Sequence, residues 1–247
     1  MQVEDSYSRR ILPELQRAIS PPRLRRYEFM ANGDAALALR LYHWNSALSE
    51  ALHSPLLSLE ITLRNAVNER LCQKLGDAWY DDPIAGLSDL HLQQIRDAKA
   101  SLRSARKKLS PPDIVSKLTL GFWVGLFSGR YETRLWRDHL RWVFKRGPSP
   151  LLRNAVHQRL DRARRLRNRV AHHEPILHLP LADEYCSILS TIGWICLATA
   201  LYTARQSEFE SVLNGRPKSE RENPWPQPQL SLQSTSCPAI VAAAPST

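Results

Sequence analysis

The sequence predicts an all-α protein. Several long stretches repeat their apolar residues at steps of three and four, and no stretch alternates apolar and polar residues as a strand does. Glycine is also scarce, with 9 in 247 residues. The first strong element starts at Asn32-Gly33-Asp34, a signal that can cap a helix, and carries Leu37, Leu41, Trp44, Leu48 and Ala51 on one face. Pro55 is expected to interrupt it, because a proline inside a helix removes one hydrogen bond and crowds the preceding turn. A second helix then follows, with Leu56, Leu59, Leu63, Val67 and Leu71 aligned and Gly76 as its stop. Residues 88–109 predict a more polar helix capped by Ser88 and ended by Pro111-Pro112. The aromatic segment 117–144, with Trp123, Trp136 and Trp142, reads as short turns whose rings pack rather than stack on bases.

A helix over about 149–173 comes next, then Pro175 and Pro180, then one long apolar helix over 181–213 with Leu181, Tyr185, Ile188, Ile192 and Ile195 in phase. From Gly215 the chain becomes rich in Pro, Ser and Gln and reads as a disordered tail. The expected organisation is therefore a single helical domain over 1–214 and a tail over 215–247.

Charge narrows the partners. The chain has 34 basic against 24 acidic residues, a net charge of +10, which favours nucleic acid or anionic lipid. Most of the cations are arginines, which suit bidentate contacts to phosphate. The 4 cysteines form no CxxC pair and have no histidine at ligand spacing, so no metal site, cofactor or disulfide framework is indicated and a reducing compartment fits. The amino terminus lacks the apolar run of a signal peptide, so a cytoplasmic location is expected. Residues 185–204 carry no charge and are about as long as a membrane span, but they stand alone and hold several hydroxyl groups. They read as a buried core helix, with no membrane partner.

The densest chemistry lies in RLDRARRLRNRVAHHEP, from Arg159 to Pro175. Arginines can clamp phosphate oxygens and a neighbouring imidazole can exchange a proton near neutral pH, the two ingredients of RNA cleavage without a metal. A solvated basic face or a phosphate-docking surface is the plainer alternative. Arg162, Arg164, Arg165 and Arg169 are the candidate RNA-binding cations, and Asn168, four residues before His172, is placed to orient that imidazole. Arg167 falls by spacing on the stripe of Val156, Leu160, Ala163 and Val170, so it is expected to face the core and to need a partner. Glu60 is the best candidate, the alternative being that Glu60 pairs with Arg64 on its own helix. Ideal geometry sets His172 about 140° round from Arg167, so both reach one phosphate only if the helix loosens near Pro175 or two protomers combine.

The string RNRVAHH resembles the RxxxxH motif of HEPN domains, helical nucleotide-binding modules of prokaryotic defence and toxin systems, with Arg167 and His172 at its ends and Asn168 at its polar position. The layout of RRYEFM through LEITLRNAV, followed about a hundred residues later by LRNRVAHHEPI, is similar to the Abi-like, or abortive infection, proteins over roughly residues 10–205. The resemblance implies a HEPN-like bundle with additional helices and metal-independent endoribonuclease activity in phage defence or growth arrest. It also implies a homodimer that joins two motifs, and an antitoxin or phage-derived activator as a further partner. It makes Arg167 and His172 the catalytic pair, with Asn168 between them and Glu60 and Arg64 in support. His173 stays open as a second imidazole, a helix cap or the base itself. A non-catalytic RNA-binding or sensor module is the alternative function.

Overall fold

The side chain of Asp34 accepts a hydrogen bond from the Leu37 N–H at 2.9 Å, and this cap opens the helix on which the protein is built. The computed structural model describes residues 12–218. Most of the expected 215–247 tail lies outside the described residues. Those residues are all-helical, with no strand among them. Helix α1 covers 12–19, α2 Pro21–Met30, α3 Ala35–Leu75, α4 Asp89–Ser104, α5 Pro111–Lys117 and α6 Leu120–Gly125. After a run of short turns come α7 at Arg153–Ala171, α8 at Leu181–Ile195, α9 at Leu197–Gln206 and α10 at Phe209–Asn214.

Helix α3 is continuous over 41 residues with Pro55 inside it, so the expected interruption does not occur. A proline inside a helix costs about 3 kcal/mol, but Pro55 is itself buried in a seam that runs through it. Leu48, Leu52, Leu56, Leu59, Leu63, Val67 and Leu71 are all at most 2% exposed. Burying one such side chain stabilises by about 1.5–3 kcal/mol, so the seam outweighs the single lost bond. Helices α2, α7, α8, α9 and α10 all pack on α3, which makes it the spine of the protein.

Two further boundaries differ from expectation. Helix α4 keeps Ser88 as its cap but stops at Ser104, where Arg106 adopts φ 53° and its N–H donates to the Arg103 carbonyl. The Lys107 N–H then donates to the Leu102 carbonyl at 2.9 Å, closing the end before the prolines are reached. Pro111 and Pro112 instead open α5, where the missing N–H is harmless. The long apolar helix expected over 181–213 is three helices, broken where Cys196 and Ser207 become extended. Gly193 faces Ala200 where α9 folds back on α8, and a Cβ there would make an ordinary contact at 3.6 Å with that of Ala200. Among the described residues no helix is long and apolar enough to cross a membrane.

The aromatic segment packs as expected. Phe122, Trp123, Phe127, Trp136 and Phe144 are buried and meet one another or Trp79 edge-on or tilted. Trp142 is the exception at 52% exposed, with the Arg141 guanidinium 4.4 Å from its ring centroid.

The sequence reading missed one buried polar cluster. His91, 5% exposed, has Ser88 Oγ at 2.8 Å and the Tyr131 hydroxyl at 3.0 Å from Nδ1. Its Nε2 lies 3.2 Å from the Phe122 carbonyl, which can only accept, so Nε2 carries a proton. Burial pushes the imidazole pKa below its ordinary value, and the hydrogen bond to Phe122 opposes that shift.

Candidate functional site

The site is built where the C-terminal end of α7 meets the middle of α3. Helix α7 is basic on its outer side and turns Val156, Leu160, Ala163, Leu166 and Val170 inward. That stripe corrects the expected position of Arg167. Leu166 takes the core position, and Arg167 stands at the edge of the stripe with its side chain 41% exposed. The partner is the expected one, for Arg167 Nε lies 3.7 Å from Glu60 Oε2. At that distance the contact is an ion pair rather than a hydrogen bond. Arg64 does not hold Glu60; its Nε donates to Asn65 Oδ1 at 3.1 Å.

The helix loosens one turn beyond Arg167, as Pro175 suggests. Ala171 is its last residue and His172 is the cap, with the His172 N–H donating to the Asn168 carbonyl at 2.9 Å. The link between Asn168 and His172 is therefore a backbone one. His173 follows at φ 54°, the left-handed region that favours glycine. Its N–H donates to the Val170 carbonyl at 3.2 Å, and the Glu174 N–H to the Arg169 carbonyl at 2.9 Å. This double closure is a Schellman end with histidine in the position glycine usually fills. Arg169 adds an ion pair to Glu174 at 3.5 Å and a hydrogen bond to the Pro175 carbonyl at 3.5 Å.

A cavity of about 550 Å³ opens beside this corner. Its floor includes Asn45, Leu56 and Val170, all buried, and its walls carry Tyr42, Ser49 and Glu60 of α3. Arg23 of α2, Glu50, His53 and Leu57 of α3, and Ala171 stand exposed at the rim. Arg167 and His173 both line it, whereas His172 does not. Asn45 Oδ1 accepts from the Ile176 N–H at 2.8 Å, which ties the chain leaving α7 back against α3. The sequence reading did not single out Arg23, Asn45, Ser49, Glu50 or His53. A signal was present, since Asn45, Ser49, His53, Leu57 and Glu60 follow one another at steps of four and three.

The candidate RNA-binding arginines divide. Arg164 pairs with Asp161 at 2.7 Å and Arg165 with the same carboxylate at 3.5 Å, while Arg169 is held by Glu174. Arg162 is exposed. Pairs on a helix surface are worth about 0–1 kcal/mol, so a phosphate can compete for these guanidiniums. Arg159 is committed to the fold. Its Nε donates to Thr191 Oγ1 at 3.2 Å and its guanidinium lies 4.6 Å from the Trp194 ring centroid.

Chemically, the corner offers a guanidinium held by a carboxylate and an imidazole facing one cavity, with a second imidazole on the outside of the same turn. Among the described residues no cluster of His, Cys, Asp and Glu is arranged to hold a metal ion. No protein-family model matches the chain, and no curated protein or solved structure matches it.

Proposed function

We propose that the protein is a metal-independent endoribonuclease of the abortive-infection type, with a HEPN-like arrangement of its helices. The observation that carries this reading is the Arg167–Glu60 pair at a cavity wall, one turn from two adjacent imidazoles at a loosened helix end. Arg167 holds the scissile phosphate and stabilises the charge that gathers on it in the transition state. An imidazole of the His172–His173 pair takes the proton of the ribose 2′-OH, whose oxygen attacks the adjacent phosphorus and leaves a 2′,3′-cyclic phosphate. Glu60 positions the guanidinium, and the exposed arginines of α7 supply salt-dependent affinity for the strand. A homodimer joining two α7 ends, an antitoxin or phage-derived activator and a cytoplasmic location belong to the same reading.

Total cellular RNA incubated with the protein in EDTA tests the proposal through the chemistry of the fragment ends. Cyclic phosphate ends are expected from the wild type. They should be lost by at least about 10²-fold both in Arg167→Ala and in the double variant His172→Ala/His173→Ala. RNA left intact by a wild type that still binds it would instead support the non-catalytic RNA-binding module, the reading favoured by the exposed basic face of α7.

A further inference from the structure

We infer that the cavity between α3 and the end of α7 is the seat of an unpaired stretch of RNA, and that His173 rather than His172 faces its scissile end. This rests on the endoribonuclease reading and deepens it. Three observations carry it. First, the lining runs along α3 from Tyr42 to Glu60, about 27 Å at the rise of an α-helix. At about 550 Å³ the space is far too small for a duplex and takes only an unpaired segment. Second, its surface is mixed as unpaired nucleotides require. The Tyr42 ring, Leu57 and Val170 give apolar area for base faces, Asn45 and Glu50 give polar groups for base edges, and Arg23 and Arg167 stand as cations for phosphates.

Third, the backbone at the end of α7 selects between the two histidines. His172 caps the helix on the outside, away from the cavity. His173 is held in the left-handed region by the two closing hydrogen bonds and belongs to the wall that Arg167 also lines. A glycine would close the helix with less strain, so the imidazole is kept at a cost to the fold. In the step this implies, the 2′-oxygen–phosphorus bond forms and the phosphorus–5′-oxygen bond breaks. The 2′-OH proton passes to His173, and the departing 5′-oxygen takes a proton from water.

The test uses one mixed-sequence single-stranded RNA and its all-2′-deoxy counterpart, which cannot be cleaved by this route. His173→Gly suits the backbone, so it should fold with an unchanged or higher thermal midpoint, bind the deoxy strand within about 3-fold of wild type and cleave RNA at least about 10²-fold more slowly. His173→Asn, which also tolerates the left-handed region, should behave alike. His172→Ala should lose at least about 10-fold less cleavage than His173→Gly, since His172 does not line the cavity. Ser49→Trp, which fills the middle of the cavity, should weaken the deoxy strand at least about 10-fold, and a duplex competitor should not displace that strand. Cleavage lost as fully in His172→Ala as in His173→Gly, or full cleavage in His173→Gly, overturns the assignment of the imidazole while leaving the endoribonuclease reading in place. Unchanged strand binding by Ser49→Trp overturns the seat. A wild type that cleaves nothing defeats the endoribonuclease reading and the role of His173, and the seat then stands or falls on the Ser49→Trp result.

Discussion

His91 and His173 each stand at a helix end, and their surroundings are opposite. His91 occupies the first turn of α4, nearly without exposure, with both ring nitrogens matched to Ser88, Tyr131 and the Phe122 carbonyl. His173 lies just past α7, exposed, in a backbone conformation that favours glycine, against an open cavity that Arg167 shares. The first histidine has no valence left for a ligand, and its chemistry is spent on joining α4 to the aromatic core. The second contributes nothing to the closure of its helix that its backbone does not already supply. A polar side chain signals function less by its type than by whether the fold needs it.

The largest expected effect separates the two sites by removing the buried ring. His91→Ala leaves the Phe122 carbonyl without its imidazole donor and the Tyr131 hydroxyl with only the Ser88 N–H as partner, and it opens a void beside Gly125, where a Cβ would stand 2.7 Å from the ring nitrogen. Those losses sum to about 2–4 kcal/mol, and denaturant melts should show them. Cleavage per folded molecule should stay at the wild-type rate. A His91→Ala protein of full stability would break the comparison at its buried end.

A smaller effect sharpens it through pH. Burial holds the His91 pKa below its ordinary 6.5, so the fold refuses a proton that the unfolded chain accepts. Above pH 6.5 both states are neutral and the stability is fully present. As pH falls below that value the unfolded chain binds more protons, and stability is lost until the folded-state pKa is passed. His139, His157 and His178 are lowered by burial as well and add to the same slope. The thermal midpoint is therefore expected to drop between pH 7 and pH 5, and His91→Gln should flatten that drop.

Much of this was legible in the sequence. The caps at Asp34 and Ser88 and the α7 apolar stripe at Val156, Leu160, Ala163 and Val170 follow from spacing alone. So did the Glu60 partner of Arg167, because a charge placed by spacing on an apolar stripe needs a counter-ion, although Arg167 itself stands at the edge of that stripe. The Asp161 pairs with Arg164 and Arg165 sat at three and four residues and could have been read the same way. His91 shares its stripe with Ile95, Ala98 and Leu102, which marks it as buried. What spacing did not reveal is tertiary. Pro55 survives because the packed seam of α3 outweighs a local penalty, and the 181–213 helix breaks at Cys196 because α9 folds back on α8. The cavity joins α2, α3 and α7, and only its α3 wall has a local signature, the run from Asn45 to Glu60 at steps of four and three.

The smallest effect compares His173 with Arg106, the residue in the same backbone role at the end of α4. Both are non-glycine residues at φ near 54°, at 53° and 54°, and both helices close with the same pair of backbone bonds. Removing the Cβ relieves about 1–2 kcal/mol of left-handed strain, and the freer unfolded chain returns about 0.4–1 kcal/mol of it. Arg106→Gly and His173→Gly should thus each raise stability by roughly 0.5–1 kcal/mol. Arg106 is exposed and lines no part of the cavity, so its substitution should leave RNA cleavage untouched. Gain of stability with loss of cleavage is expected from His173→Gly alone. If that variant instead melts earlier than wild type, the imidazole is holding the corner together, and His173 joins His91 as a structural histidine.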